Sequence, residues 1–128
     1  MRFEGDIDAP YLHLLRLAED ELRATMASLP PEIREPLRGV PVIFEEFPSA
    51  EALADGITPD QLGVFEGAQV LDSGVPQPPR IIVWLGNLWD MCEASEPAYC
   101  EEVRVTLLHE FGHFLGWDEN ELFERGLE

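Results

Sequence analysis

His109 and His113 stand four residues apart, with Glu110 directly after the first of them, in the run His-Glu-Phe-Gly-His. On a helix, positions four apart lie one turn from each other on the same face, so two imidazoles can converge on one metal ion. Glu110 lies about 100° round the helix from His109, where it can reach a water at the metal without being a ligand. A zinc ion takes two histidine nitrogens and a carboxylate at about 2.0–2.2 Å and leaves a fourth position for water, whose pKa falls to about 7. Glu110 can then take the water's proton as it attacks a carbonyl, and later pass that proton to a leaving amine. Zinc suits an open imidazole–carboxylate site; iron, manganese and cobalt fit less specifically.

The carboxylate has to come from beyond Gly116, where glycine can end the helix by entering the left-handed region. The tenth residue after His109 is Glu119, and Asp118 comes one earlier. A turn at Gly116 points the tenth position back toward the histidines. Asp118, with Glu121 three residues on, also has the pattern of a helix cap. Glu119 is therefore the favoured third ligand and Asp118 the alternative, with Glu124 or Glu128 as acids further along.

A helix over residues 98–115 must carry the pair. Val103, Leu107, Phe111 and Phe114 gather on the side away from the histidines, widened by Leu108 and Leu115. The histidine side instead holds Glu102, Thr106, Gly112 and Gly116. A core helix would put bulky apolar groups there, so this face is expected to line a cleft. Tyr99 lies upstream on the same helix and is given no catalytic role.

The remaining elements supply a platform. Leu12, Leu15, Leu22, Met26 and Leu29 recur at helical spacing from Pro10 to Ser28, ended by Pro30-Pro31, and predict a backing helix after a polar leader over residues 1–9. His13 on that helix is assigned no ligand role. Residues 31–37 form a short helix or turn. Val40–Phe47 is β-branched and aromatic-rich, hence a strand with Pro41 near its start. Residues 48–54 allow one helical turn, and Leu62–Gly67 is a second strand that residues 68–71 extend past Gly67. Residues 72–79 read as loop, and Arg80–Leu85 is apolar enough to be a central strand covered on both faces. Residues 86–95 hold a turn and a short helix, and Asp118 opens a last helix to about Gly126. This order gives an α+β chain: one domain over residues 1–128 with a small mixed sheet of about three to four strands, a backing helix, the metal-site helix and a short C-terminal helix.

Composition narrows the partners. In 128 residues there are 26 acids against 8 basic residues, all arginine, for a net charge of −18. Such a surface repels phosphate backbones, which argues against nucleic acid. No run nears the roughly 18 apolar residues of a membrane span, and the N-terminus lacks the basic-then-apolar run of a signal peptide. A cytoplasmic monomer is the expectation. Cys92 and Cys100 are the only cysteines and read as structural thiols, since their spacing is not a zinc pattern.

The run His109 to Glu119, HEFGHFLGWDE, resembles the HExxHxxGxx(D/H) signature of zincin metallopeptidases. SLPPEIREPLRGVPVIFEEFPS, LGVFEG, PRIIVWLGNL and EVRVTLLHEFGHFLGWDENELFERG, in that order, look like the small bacterial mini-zincins, over roughly residues 19–126. The resemblance implies a minimal zincin scaffold, one zinc ion per chain on His109, His113 and the tenth-position acid, and Glu110 as catalytic base. The family pattern has aspartate where this chain has Glu119, and the added methylene sets the backbone about 1.5 Å further back. Metzincins place a methionine turn downstream of the motif, whereas Met1, Met26 and Met91 all lie upstream here. Nine residues follow Glu119, too few for a substantial C-terminal subdomain, so an open site is expected. Strand Leu62–Gly67 is the candidate to pair with a peptide. A zinc metallopeptidase acting on a peptide or protein substrate is the leading reading. A metal-stabilised binding module with little or no peptidase activity is the alternative.

Overall fold

The computed structural model describes residues 9–67 and 78–124, apart from the side chains of Ala9, Glu119, Leu122 and Phe123. Its elements are α1 (Ala9–Ser28), α2 (Pro31–Leu37), β1 (Val42–Glu45), α3 (Ala50–Ala54), β2 (Gly63–Glu66), β3 (Arg80–Trp84), α4 (Leu85–Met91), α5 (Glu96–Phe114) and α6 (Glu119–Glu124). This is an α+β arrangement: a three-stranded mixed sheet with the motif helix α5 packed on it, and the backing helix α1 packed on α5 and α4 rather than on the sheet itself. Ala9, expected at the end of a polar leader over residues 1–9, opens α1 instead; the rest of that leader, the extension over 68–71 and most of the 72–79 loop lie outside the described residues.

Strand order is β1-β3-β2, with β1 parallel and β2 antiparallel to β3. β3 is central, as its continuous apolar run predicts. Ile81 and Val83 are fully buried in the core beneath the helices. Ile82 and Trp84 are buried on the opposite face, and the Trp84 indole N–H donates to Glu45 Oε1 at 3.1 Å. β3 runs without a loop into α4, which begins at Leu85 rather than beyond Gly86.

β1 is shorter than the expected Val40–Phe47. The Val40 N–H closes a turn onto the Leu37 carbonyl at 3.0 Å, and Pro41 contributes only its carbonyl, to Ile81 N at 3.0 Å. At the other end the Glu46 carbonyl leaves the ladder to accept from Gly86 N at 2.8 Å.

α1 lies on α5, and it buries Leu14 and Ala18 rather than Leu12, which stands exposed. Leu14 and Ala18 are one turn apart, with Tyr11, Leu15, Leu22 and Met26 flanking them, so the true stripe is centred about a third of a turn from Leu12. The Tyr99 hydroxyl, fully buried on α5, donates to the Leu14 carbonyl of α1 at 2.8 Å and joins the two helices. The Trp89 ring of α4 meets Tyr99 edge-on at 5.7 Å. Among the described residues no helix is long and apolar enough to cross a membrane.

Candidate metal centre

α5 is held at both ends by its own sequence. Ser95 Oγ accepts from Ala98 N at 3.4 Å, and Pro97 sits in the first turn, where its missing N–H costs nothing. At the far end Gly116 takes φ +80°, its N–H bonds the His113 carbonyl at 3.1 Å, and Trp117 N bonds the Gly112 carbonyl at 2.8 Å. These two bonds make a Schellman termination, which needs a left-handed residue where glycine stands. The chain therefore stops and turns three residues after His113.

Val103, Leu107, Leu108, Phe111 and Phe114 of α5 are buried in the core as their spacing predicts. The histidine face meets β2, and Gly63 makes that approach possible. A Cβ at Gly63 would fall 2.9 Å from Thr106 Cγ2, 3.2 Å from the Ile82 carbonyl and 3.5 Å from Glu110 Oε2. The Glu110 carboxyl group thus lies against the β2 backbone, and Glu110 is only 7% exposed. Phe65, two residues along β2, meets Phe114 edge-on at 5.9 Å and pins the strand to the helix.

His109 and His113 are half-buried, with Nε2 atoms 2.9 Å apart and rings inclined at 73°. Two nitrogens bound to one tetrahedral ion at about 2.0–2.1 Å stand about 3.3 Å apart, so the pair fits a shared metal after a shift of a few tenths of an ångström. Among the described residues no third histidine, cysteine or acid completes a group able to hold a metal. Asp118 is exposed, and its Oδ1 accepts from Glu121 N at 2.8 Å, so it caps α6 as its spacing predicts. Glu119 begins α6, and its side chain is outside the described set.

Above the histidines opens a pocket of about 360 Å³, lined by Gln61, Gly63, Val64, Phe65, His109, Glu110 and His113. One wall is the outer edge of β2, and among the described residues no strand pairs with that edge. Trp84 N bonds the Leu62 carbonyl at 2.9 Å, so Leu62, Val64 and Glu66 direct their backbone groups to β3. By alternation Gly63 and Phe65 direct theirs outward. The Gly63 carbonyl accepts from Gln61 Nε2 at 3.0 Å.

Two residues of this arrangement carried no signal of their own. Gln61 lines the pocket, and Asn87 of α4, almost fully buried, donates from Nδ2 to the carbonyls of Pro59 and Gln61, both at 2.8 Å. Asn87 so fixes the segment that leads into β2. Gly63 did carry one, because a glycine inside a strand marks a close approach by another chain segment.

Four residues singled out in the sequence lie outside the pocket. Tyr99 is a structural post. His13 on α1 is exposed, with Nε2 3.0 Å from Glu96 Oε2. Cys92 and Cys100 are free thiols packed against the core, and burial pushes both above the ordinary thiol pKa.

The sequence profile of zincin-like metallopeptidases matches residues 37–127. The chain belongs to that family. The match takes in β1, β2, β3, α4, the whole of α5 and the turn to α6, so the pocket lies within the shared part of this zincin. A search among curated proteins found no match. Membership carries metallopeptidase activity and zinc dependence as properties of the family.

Proposed function

We propose that this zincin is a zinc-dependent peptidase, with one ion held by His109, His113 and an acid from the turn after Gly116. Glu119 is the proposed third ligand. Asp118, the alternative, is engaged in capping α6. One observation carries the reading: two imidazole nitrogens 2.9 Å apart and a buried carboxyl group line the same pocket beneath an outward-facing strand edge.

When bound, zinc supplies a Lewis acid that lowers the pKa of water to about 7 and polarises a peptide carbonyl. The chain's own residues do the rest. Glu110, on the pocket wall beside both histidines, accepts the proton of the attacking water and returns it to the departing amine nitrogen. The backbone of Gly63 and Phe65 offers an extended peptide a ladder to pair with, which fixes the scissile carbonyl next to Glu110. Gln61 Nε2 gives up the Gly63 carbonyl as the substrate strand takes its place. The proposed substrate is therefore an extended peptide or exposed chain end, acted on by a monomer.

The test is Glu110→Gln in zinc-loaded protein, with peptide hydrolysis and bound zinc measured together. Hydrolysis is expected to fall by about 10²–10⁴-fold while zinc content is retained. Unchanged hydrolysis overturns the role of Glu110. A zinc-loaded wild-type protein that binds peptides and cleaves none supports the binding-module reading instead.

A further inference from the structure

Beside the pocket over the histidines, on the Leu62 side of Gly63, lies a second recess of about 270 Å³. The recess shares Gly63, His109 and Glu110 with the first pocket and adds Leu62, Glu102, Val105 and Thr106. Glu102, Thr106, His109 and His113 are spaced four, three and four residues apart, hence along one face of α5. Glu102 precedes His109 by seven residues, two turns or about 10 Å along the axis. Between them the walls are small or apolar, and at the end stands a carboxylate. Glu102 is half-exposed and makes no hydrogen bond or ion pair with any described residue. The nearest base in sequence, Arg104, is held by Glu101 instead.

Direction follows from β2. The strand runs from Gly63 to Glu66, so a substrate antiparallel to it runs toward Leu62. Residues before the scissile bond then lie along Phe65, and the first residue after it meets the recess. From a carbonyl at the histidines, one residue step of about 3.3 Å and an extended arginine side chain of about 6–7 Å together span the distance to Glu102.

We propose that this recess selects arginine or lysine immediately after the scissile bond, with Glu102 as the specificity-determining residue. The inference rests on the peptidase reading and adds its substrate class. The aliphatic stem lies on Leu62 and Val105, and the cationic end reaches the Glu102 carboxylate. A leucine fills the recess but shields Glu102 from water without pairing it, and an acidic side chain is repelled. The net charge of −18 draws basic peptides to the same mouth.

The test offers zinc-loaded protein a peptide mixture varied at every position, with cut sites read by mass spectrometry. Wild type is expected to cut before arginine or lysine about fivefold or more faster than before leucine, and slowest before glutamate. Glu102→Gln should bring the arginine-to-leucine ratio close to one, and Glu102→Arg should turn the preference toward glutamate. A wild type that cuts before leucine or glutamate as readily as before arginine overturns the proposal. So does an unmoved ratio in Glu102→Gln.

A second measurement is independent of turnover. Arginine amide and leucine amide are titrated into zinc-loaded Glu110→Gln protein and followed by backbone amide NMR. Tighter binding of arginine amide, with shifts centred on Leu62, Val105 and Thr106 and lost on adding Glu102→Gln, supports the pocket. Equal affinity for the two amides overturns it. A protein that cleaves no peptide counts against the peptidase reading, and the amide titration then decides the recess alone.

Discussion

Glu110 is a buried carboxyl group whose position depends on the absence of a side chain opposite it. At Gly63 the helix and strand approach until a Cβ would stand 2.9 Å from Thr106 Cγ2 and 3.2 Å from a backbone oxygen of β3. The backbone oxygen cannot rotate away, so Gly63→Ala has to push β2 and α5 apart. Overpacking of that kind costs about 1–3 kcal/mol, and small displacements of a catalytic group cost about 10–100-fold in rate. Gly63→Ala is therefore expected to lower kcat/KM about tenfold or more with zinc still bound, and to lower the urea midpoint. Wild-type turnover per zinc-loaded molecule would show that the close approach does not position Glu110. The turn before α5 gives a prediction of opposite sign. Glu93 and Ala94 take φ +52° and +62°, left-handed values that cost a residue with a Cβ about 1–2 kcal/mol. Glycine relieves that strain but gains about 0.4–1 kcal/mol of freedom when unfolded. The difference favours Ala94→Gly by about 0.5 kcal/mol, measured by urea unfolding, and a destabilised variant contradicts it.

α5 was the most legible element because its two faces differ in kind. Leu107, Phe111 and Phe114 could only be core, and Gly116 followed by Trp117 and Asp118 gave both its stop and the next cap. β1 and α1 were less legible for one shared reason: their limits are decided by partners distant in sequence. The Glu46 carbonyl leaves the ladder for Gly86, and the stripe of α1 is set by where Tyr99 reaches Leu14, 85 residues away. Asn87 holds carbonyls 26 and 28 residues away, which no local pattern records. The α1–α5 junction yields a pH prediction. Burial, the largest cause, lifts the Tyr99 hydroxyl well above its ordinary pKa of 10.0, and burial with the field of Glu46 and Glu45 raises Tyr11 to about 12. A raised pKa favours the folded state fully below the unfolded value near 10, and that contribution is lost as pH climbs toward the folded value. With no lysine in the chain, tyrosines and the two raised cysteines dominate this range. Wild type should therefore lose more stability than Tyr99→Phe between about pH 8 and pH 11, although Tyr99→Phe starts about 1 kcal/mol lower for its missing hydrogen bond. Equal losses in both proteins would remove Tyr99 from the account.

The whole molecule carries 26 acids and 8 arginines, and local pairing does little to offset that excess. Arg23 is held by Asp20, Arg38 by Glu35 and Arg104 by Glu101, each pair within one turn of a helix, while Arg80 meets Glu66 across the sheet. These pairs are solvent-exposed, so each contributes little. These four pairs engage four of the 26 acids, so a large excess of negative charge is left over. Compaction of a chain at −18 therefore works against its own repulsion, which unfolding relaxes by spreading the charge. Salt screens the repulsion and the few attractive pairs alike, and the repulsive pairs are far more numerous. Between about 0.01 M and 1 M sodium chloride the screening length falls from roughly 30 Å, comparable to a small domain, to roughly 3 Å. The melting temperature is expected to rise by several degrees over that range, most steeply below about 0.1 M. Potassium chloride should give the same curve, because screening depends on ionic strength rather than on the cation. A melting temperature that is flat or falls with salt would mean that the exposed pairs outweigh the net field. A rise seen with sodium sulfate but not with either chloride at the same ionic strength would indicate exclusion from the surface rather than screening. The same salt series should weaken capture of basic peptides while it stabilises the fold. Stability and substrate attraction then move in opposite directions with ionic strength, because both come from the one acidic field.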